Sequence, residues 1–200
     1  MKQSGFSILE VLVVIGVLVI LVTITAIGYG KYHDDSRDTA RRAAVQQVEA
    51  AINTLKTQKD RVIPLGGYIT ATGHGLGSDG LCTYTSGGWL YAEVNYYPCS
   101  LGLTLRNAKL LPNDFFDKLQ PNEEVAQTEY GEQTNRPHLS MMIYNCVPTQ
   151  NRYLLYYYLK NPTQKDTDDM AALRSKCTSD YISSANLERY KMRAAVEIKL

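Results

Sequence analysis

The chain has 200 residues and a formal charge of +1. That balance provides no general electrostatic attraction to nucleic acid, which is not expected as a main partner. The length suits one core-bearing domain plus an accessory segment, and the 15 tyrosines suit half-buried surfaces and wet interfaces, since each joins an apolar body to a polar tip.

The most constraining stretch comes first. Residues 5–10 read Gly-Phe-Ser-Ile-Leu-Glu, and an uncharged run from Val11 to Ile27 follows. A charged side chain costs roughly 2.5–3.5 kcal/mol at the centre of a membrane helix, so Glu10 is expected to need a partner from outside the segment. A cut after Gly5 would create one, a cationic amine on Phe6. A secretory signal would place small residues for cleavage after the apolar run. Here Thr25-Ala26-Ile27-Gly28-Tyr29-Gly30 runs directly into a helical pattern, and no cysteine is present for lipoprotein processing. A plain single-pass anchor accounts for the run, because about 20 residues span a bilayer, but not for Glu10 or the Gly5–Phe6 junction.

With its leader Met1-Lys2-Gln3-Ser4-Gly5 and the following Phe6-Ser7-Ile8-Leu9-Glu10, the chain resembles type IV prepilins and pseudopilins. Arg37-Asp38-Thr39-Ala40-Arg41-Arg42 and Val48–Leu55 are similar to the continuation of the pilin helix, so the resemblance covers about residues 2–60. It implies cleavage by a prepilin peptidase between Gly5 and Phe6, N-methylation of Phe6, and pairing of Glu10 with the Phe6 amine of a neighbouring subunit. It further implies a single-pass anchor in the cytoplasmic membrane with the head outside, then an extracellular pilus built with assembly-platform proteins and serving adhesion or twitching motility. A minor pilin or a pseudopilin of a secretion or DNA-uptake machine is the alternative. The positive-inside count runs the other way, since only Lys2 precedes the span while Lys31, Arg37, Arg41 and Arg42 follow it.

The expected architecture is α+β and pilin-like, a long N-terminal helix packed on a small antiparallel sheet. Residues 1–5 form the leader, 6–30 the membrane or filament-core half of the helix, 31–61 its amphipathic half, and 62–200 the head. Ala40, Ala44, Val48, Ile52 and Leu55 recur at intervals of four and three, which predicts the face that packs on the head. Arg41, Arg42, Gln46, Gln47, Glu49 and Asn53 fall mostly off that stripe. A helix from Phe6 to about Lys59 would be roughly 80 Å long. Gly28 and Gly30, each about 1 kcal/mol worse than Ala in a helix, mark the expected place for a bend or local melting during assembly.

In the head, β-branched and aromatic runs predict strands at Tyr68–Thr72, Trp89–Tyr97, Leu139–Val147 and Tyr153–Lys160. Apolar residues on both faces of the last make it a central strand. Short surface helices are expected at Asp168–Cys177 and Ser184–Met192, and an edge strand at Ala195–Leu200. The stretch from Lys109 to Leu119 loosely resembles the loop after the pilin long helix. Four cysteines, at Cys82, Cys99, Cys146 and Cys177, lack metal-ligand spacing and read as two disulfides outside the cytoplasm. Three connectivities are open; Cys82–Cys99 with Cys146–Cys177 closes the shortest loops.

Other chemistry is weak. Gly75-Leu76-Gly77-Ser78-Asp79-Gly80 fits a dinucleotide fingerprint by letters, but no helical pattern follows it. Some pseudopilins bind calcium in a head loop, and Asp166-Thr167-Asp168-Asp169 would supply oxygens; a polar cap for the Met170–Lys176 segment is the simpler reading. No nucleophile–base pair or metal spacing stands out, so neither an enzyme nor a metal site is expected.

Overall fold

The computed structural model describes residues 7–57, 87–90, 101–119, 140–147, 152–180 and 182–199. The strand expected at Tyr68–Thr72, residues 91–97 of the next one, the glycine loop at 75–80, and Cys82 and Cys99 lie outside them. Helix α1 runs Ile8–Thr57, and the contacts divide the chain within it, into Met1–Arg37 and Asp38–Leu200.

In the first unit α1 stands with its apolar side chains bare. From Ile8 to Ile24 the large hydrophobics are 47–82 % exposed. The helix continues through Gly28 and Gly30, where a Cβ would meet nothing within 4 Å. Thr23 and Thr25 donate their hydroxyls to the carbonyls of Val19 and Leu21 at 2.8 and 2.7 Å. That back-bonding leaves no free hydroxyl donor in the run.

The second unit is α+β. Its sheet has the order β1 (Gly87–Trp89), β2 (Met141–Val147), β3 (Arg152–Tyr158), β5 (Met192–Lys199), with the short β4 (Ser179–Asp180) paired to the end of β2. Every pairing is antiparallel, with Met141 opposite Tyr157 in β2–β3 and Leu155 opposite Val196 in β3–β5. β3 is the central strand its two apolar faces predict. Tyr153, Leu155 and Tyr157 enter a core with Ala44, Val48, Ile52 and Leu55 of α1 and with Ile143, Ala194 and Ile198. Leu154, Tyr156 and Tyr158 enter a second core with Trp89, Met142, Ile182, Leu187 and Met192. Alternating Cβ directions require this division. Each fully buried side chain of this size contributes roughly 1.5–3 kcal/mol.

Two short helices complete the first core. Leu101, Leu103 and Leu105 of α2 (Leu101–Asn107) and the edge-to-face pair Phe115–Phe116 of α3 (Phe115–Lys118), with centroids 5.0 Å apart, are buried there. The letters Leu-Gly-Leu-Thr-Leu alternate like a strand, yet the segment is helical. It ends in a left-handed Lys109 (φ 59) flanked by bonds from Leu110 N to Leu105 O and Lys109 N to Arg106 O, the two bonds of a Schellman cap.

Helix boundaries depart from expectation where caps decide them. α4 spans Gln164–Ser175, starting ahead of Asp168, because Thr163 and Asp166 close a capping box there. α5 spans Ser184–Arg189 and stops short of Met192. Lys191 turns left-handed (φ 53), and the chain enters edge strand β5 at Met192. Across that turn Arg193 and then Lys191 hold the Glu188 carboxyl down to about 2.

The face that α1 turns to the sheet corrects the expected stripe. Ala40 is exposed, whereas Asp38 and Arg41 are buried at 1 % and 3 % exposure. Asp38 Oδ1 accepts from Arg41 Nη1 at 2.8 Å and from the Lys160 backbone N–H at 3.0 Å, while Oδ2 accepts from the Asn161 N–H at 2.7 Å. The Arg41 guanidinium lies 4.6 Å over the Tyr158 ring. Arg42 Nη2 reaches Asp166 Oδ2 at 2.7 Å. Neighbouring arginines of α1 thus hold the end of β3 and the start of α4. Asp38→Ala is expected to cost roughly 3–5 kcal/mol, because Arg41 stays buried without its carboxylate. Urea unfolding of the full chain in detergent checks this; a loss below about 1 kcal/mol, the range of an exposed pair, would reject it.

Candidate functional site

The residues singled out for assembly lie at the start of α1. Gly5 and Phe6 are outside the described residues. Glu10 is the acid of the first helical turn, and its partner is local. Ser7 N–H donates to Glu10 Oε2 at 2.9 Å, and Glu10 N–H donates to Ser7 Oγ at 3.2 Å. The first helical bond, Val11 N to Ser7 O, makes Ser7 the N-cap. This is a capping box, with two otherwise orphan donors satisfied reciprocally. The expectation that Glu10 lacks a partner within the segment is therefore corrected. The signal was present, since Ser7-Ile8-Leu9-Glu10 before an apolar run has the capping-box spacing.

The box changes what Glu10 can do. A carboxylate has about four acceptor positions, and the cap occupies one of them. The acid is exposed, sits where the helix dipole favours negative charge, and retains capacity for a cation. Beyond it stand fourteen large apolar side chains between Ile8 and Ile24, each about half exposed or more. At roughly 1 kcal/mol each, leaving them in water costs on the order of 15 kcal/mol, as much as the stability of an ordinary domain. α1 is long and apolar enough over this part to cross a membrane.

In the second unit Cys146 of β2 and Cys177 after α4 form the expected disulfide, with Cα atoms 5.1 Å apart and a sequence separation of 31. In the chain-entropy account a loop of this size stabilises by roughly 3–4 kcal/mol. The bond ties α4 to the sheet on the face opposite α1.

The acids weighed for calcium are engaged separately. Asp166 accepts from the Thr163 N–H and hydroxyl and from Arg42, Asp168 from Gln164, and Asp169 from Lys165. Among the described residues no group of three or more His, Cys, Asp or Glu could hold a metal. Of these acids only Asp166 serves a cap, as the partner of N-cap Thr163 at the start of a helix that already contains Asp168 and Asp169, which corrects the expected cap on Met170–Lys176. Burial pushes the Asp166 carboxyl up, but the bonds from Thr163 and Arg42 outweigh it and hold the group below its ordinary 3.8.

Comparison with protein-family profiles, characterised proteins and solved structures finds no match to this chain.

Two outcomes follow from these geometries. Ser7→Ala removes the cap oxygen at a cost of about 1 kcal/mol, so the Glu10 amide of the full chain in detergent should exchange about fivefold faster; unchanged exchange would reject the box. The Asp166 contribution is complete above the unfolded value near 3.9 and is lost as pH falls through the lowered folded value. Asp166→Asn should therefore shrink the fall in melting temperature on acidification below about pH 4; an unchanged acid slope would reject this.

Proposed function

We propose that the chain is a structural subunit of a type IV pilus, polymerising into an extracellular helical filament. The observation that carries the reading is the start of α1: a capped first turn bearing one exposed carboxylate, followed at once by an uncharged run that no described residue covers. The same chain carries a disulfide-bonded α+β unit suited to life outside the cytoplasm. Gly5 and Phe6 stand directly before the cap.

A prepilin peptidase cuts after Gly5 and leaves an amine on Phe6. Before the cut α1 stores the subunit in the bilayer. During growth the apolar run exchanges lipid for like helices, a nearly neutral transfer in hydrophobic terms. Glu10 meets the Phe6 amine of a neighbour while keeping its bond to the Ser7 N–H. Losing that cation leaves an acid in an apolar bundle, so charge pairing sets the axial register. The cap adds a second role, because the same carboxylate fixes the first helical turn and points a preformed acceptor at the incoming amine.

Mass spectrometry of protein sheared from the cell surface tests the reading. A chain beginning at N-methyl-Phe6, lighter by two hydrogens per disulfide, is expected. A chain retaining Met1 and confined to membranes would overturn it. Glu10→Ala should leave processing intact and reduce filament yield; wild-type yield would remove the pairing mechanism.

A further inference from the structure

The apolar run ends in an aromatic cluster that the filament reading does not use. Tyr29 and Tyr32 are 70 % and 75 % exposed, the last large side chains of the exposed series. Three residues apart on a helix, they share a face. Tyr29 also stacks on His33, one turn on, with ring centroids 6.3 Å apart and planes 23° from parallel. Lys31 and His33 are exposed beside them.

The spacing has a physical match. Glu10 and Tyr29 are 19 residues apart, about 29 Å along a helix, against about 30 Å for the hydrocarbon core of a bilayer. Between them the polar side chains are Thr23 and Thr25, both bonded to their own backbone. Tyr29 to His33 covers about 6 Å, close to the roughly 5–8 Å of one headgroup layer. Tyrosines favour that layer because their rings take the apolar side and their hydroxyls the wet side. A lysine among them reaches the same zone with its ammonium.

We propose that Tyr29, Tyr32 and His33 form an interfacial belt that seats α1 in the headgroup layer of a phospholipid bilayer, with residues 11–28 in the hydrocarbon and Glu10 at the opposite surface. The proposal deepens the membrane-stored stage of the reading above. It gives that stage a fixed depth: the belt holds one end of the span while the charged first turn holds the other.

Depth-resolved fluorescence quenching tests it. The full chain is reconstituted into dioleoylphosphatidylcholine vesicles doped with phosphatidylcholine brominated either near the headgroup or near the chain ends. Reporters are Tyr29→Trp, Tyr32→Trp and Val19→Trp; the wild type, whose one tryptophan is Trp89, supplies the background. The two belt reporters should be quenched more strongly by the shallow bromines, and Val19→Trp by the deep ones. Deep quenching at Tyr29→Trp, or no lipid quenching at either belt position, would overturn the belt; so would shielding of both from lipid and from aqueous iodide, which assigns the face to chain–chain contact. Belt-depth quenching in vesicles, together with cells whose protein all retains Met1 and stays in membranes, would leave this proposal standing and remove the filament reading alone.

Discussion

The second unit depends on one buried carboxylate. Asp38 lies at its first position on α1 and binds three donors, one from the next turn of its own helix and two from a distant part of the chain. Two are the backbone N–H groups of Lys160 and Asn161, where β3 has ended and α4 has not begun. The third is Arg41, whose buried guanidinium lies over the Tyr158 ring. The carboxylate thus solves a problem of the sheet's end and a problem of the helix at once, and it fixes where α1 begins to pack.

The rest of the unit follows from that register. With Asp38 and Arg41 against the end of β3, Ala44, Val48, Ile52 and Leu55 fall along the sheet in steps of one turn. Arg42 is placed to reach Asp166, and Asp166 in turn closes the cap of α4. The disulfide from Cys177 returns the far end of α4 to β2. Polar bonds on one side and a covalent bond on the other hold α4, which buries no side chain of its own. Directional bonds of this kind specify position where apolar contact alone does not.

The N-terminal unit obeys the opposite logic. Its large apolar side chains from Ile8 to Ile24 are exposed, and its structure is local: a reciprocal cap, a continuous helix, and hydroxyls returned to their own helix. Such a segment is complete in backbone hydrogen bonds and incomplete in apolar contacts. That combination is stable in lipid or among like helices and costly in water.

Local features carried what was readable from letters. The apolar run, the central strand with two buried faces and the edge strand at the C-terminal end all rest on spacing within short stretches, and periodicity reports burial there directly. Even Ser7 with Glu10 had a recognisable spacing that pointed to the cap. The burial of Asp38 and Arg41, the exposure of Ala40 and the helical state of Leu101–Asn107 were decided by tertiary structure, whereas the early start of α4 follows a local signal, the Thr163–Asp166 capping box. Asp38 and Arg41, three apart on a helix, look like an ordinary surface ion pair until Lys160 and Asn161 arrive from 122 and 123 residues away. A polar group's placement depends on a partner that sequence distance hides, whereas an apolar group's placement depends on a pattern its neighbours already show.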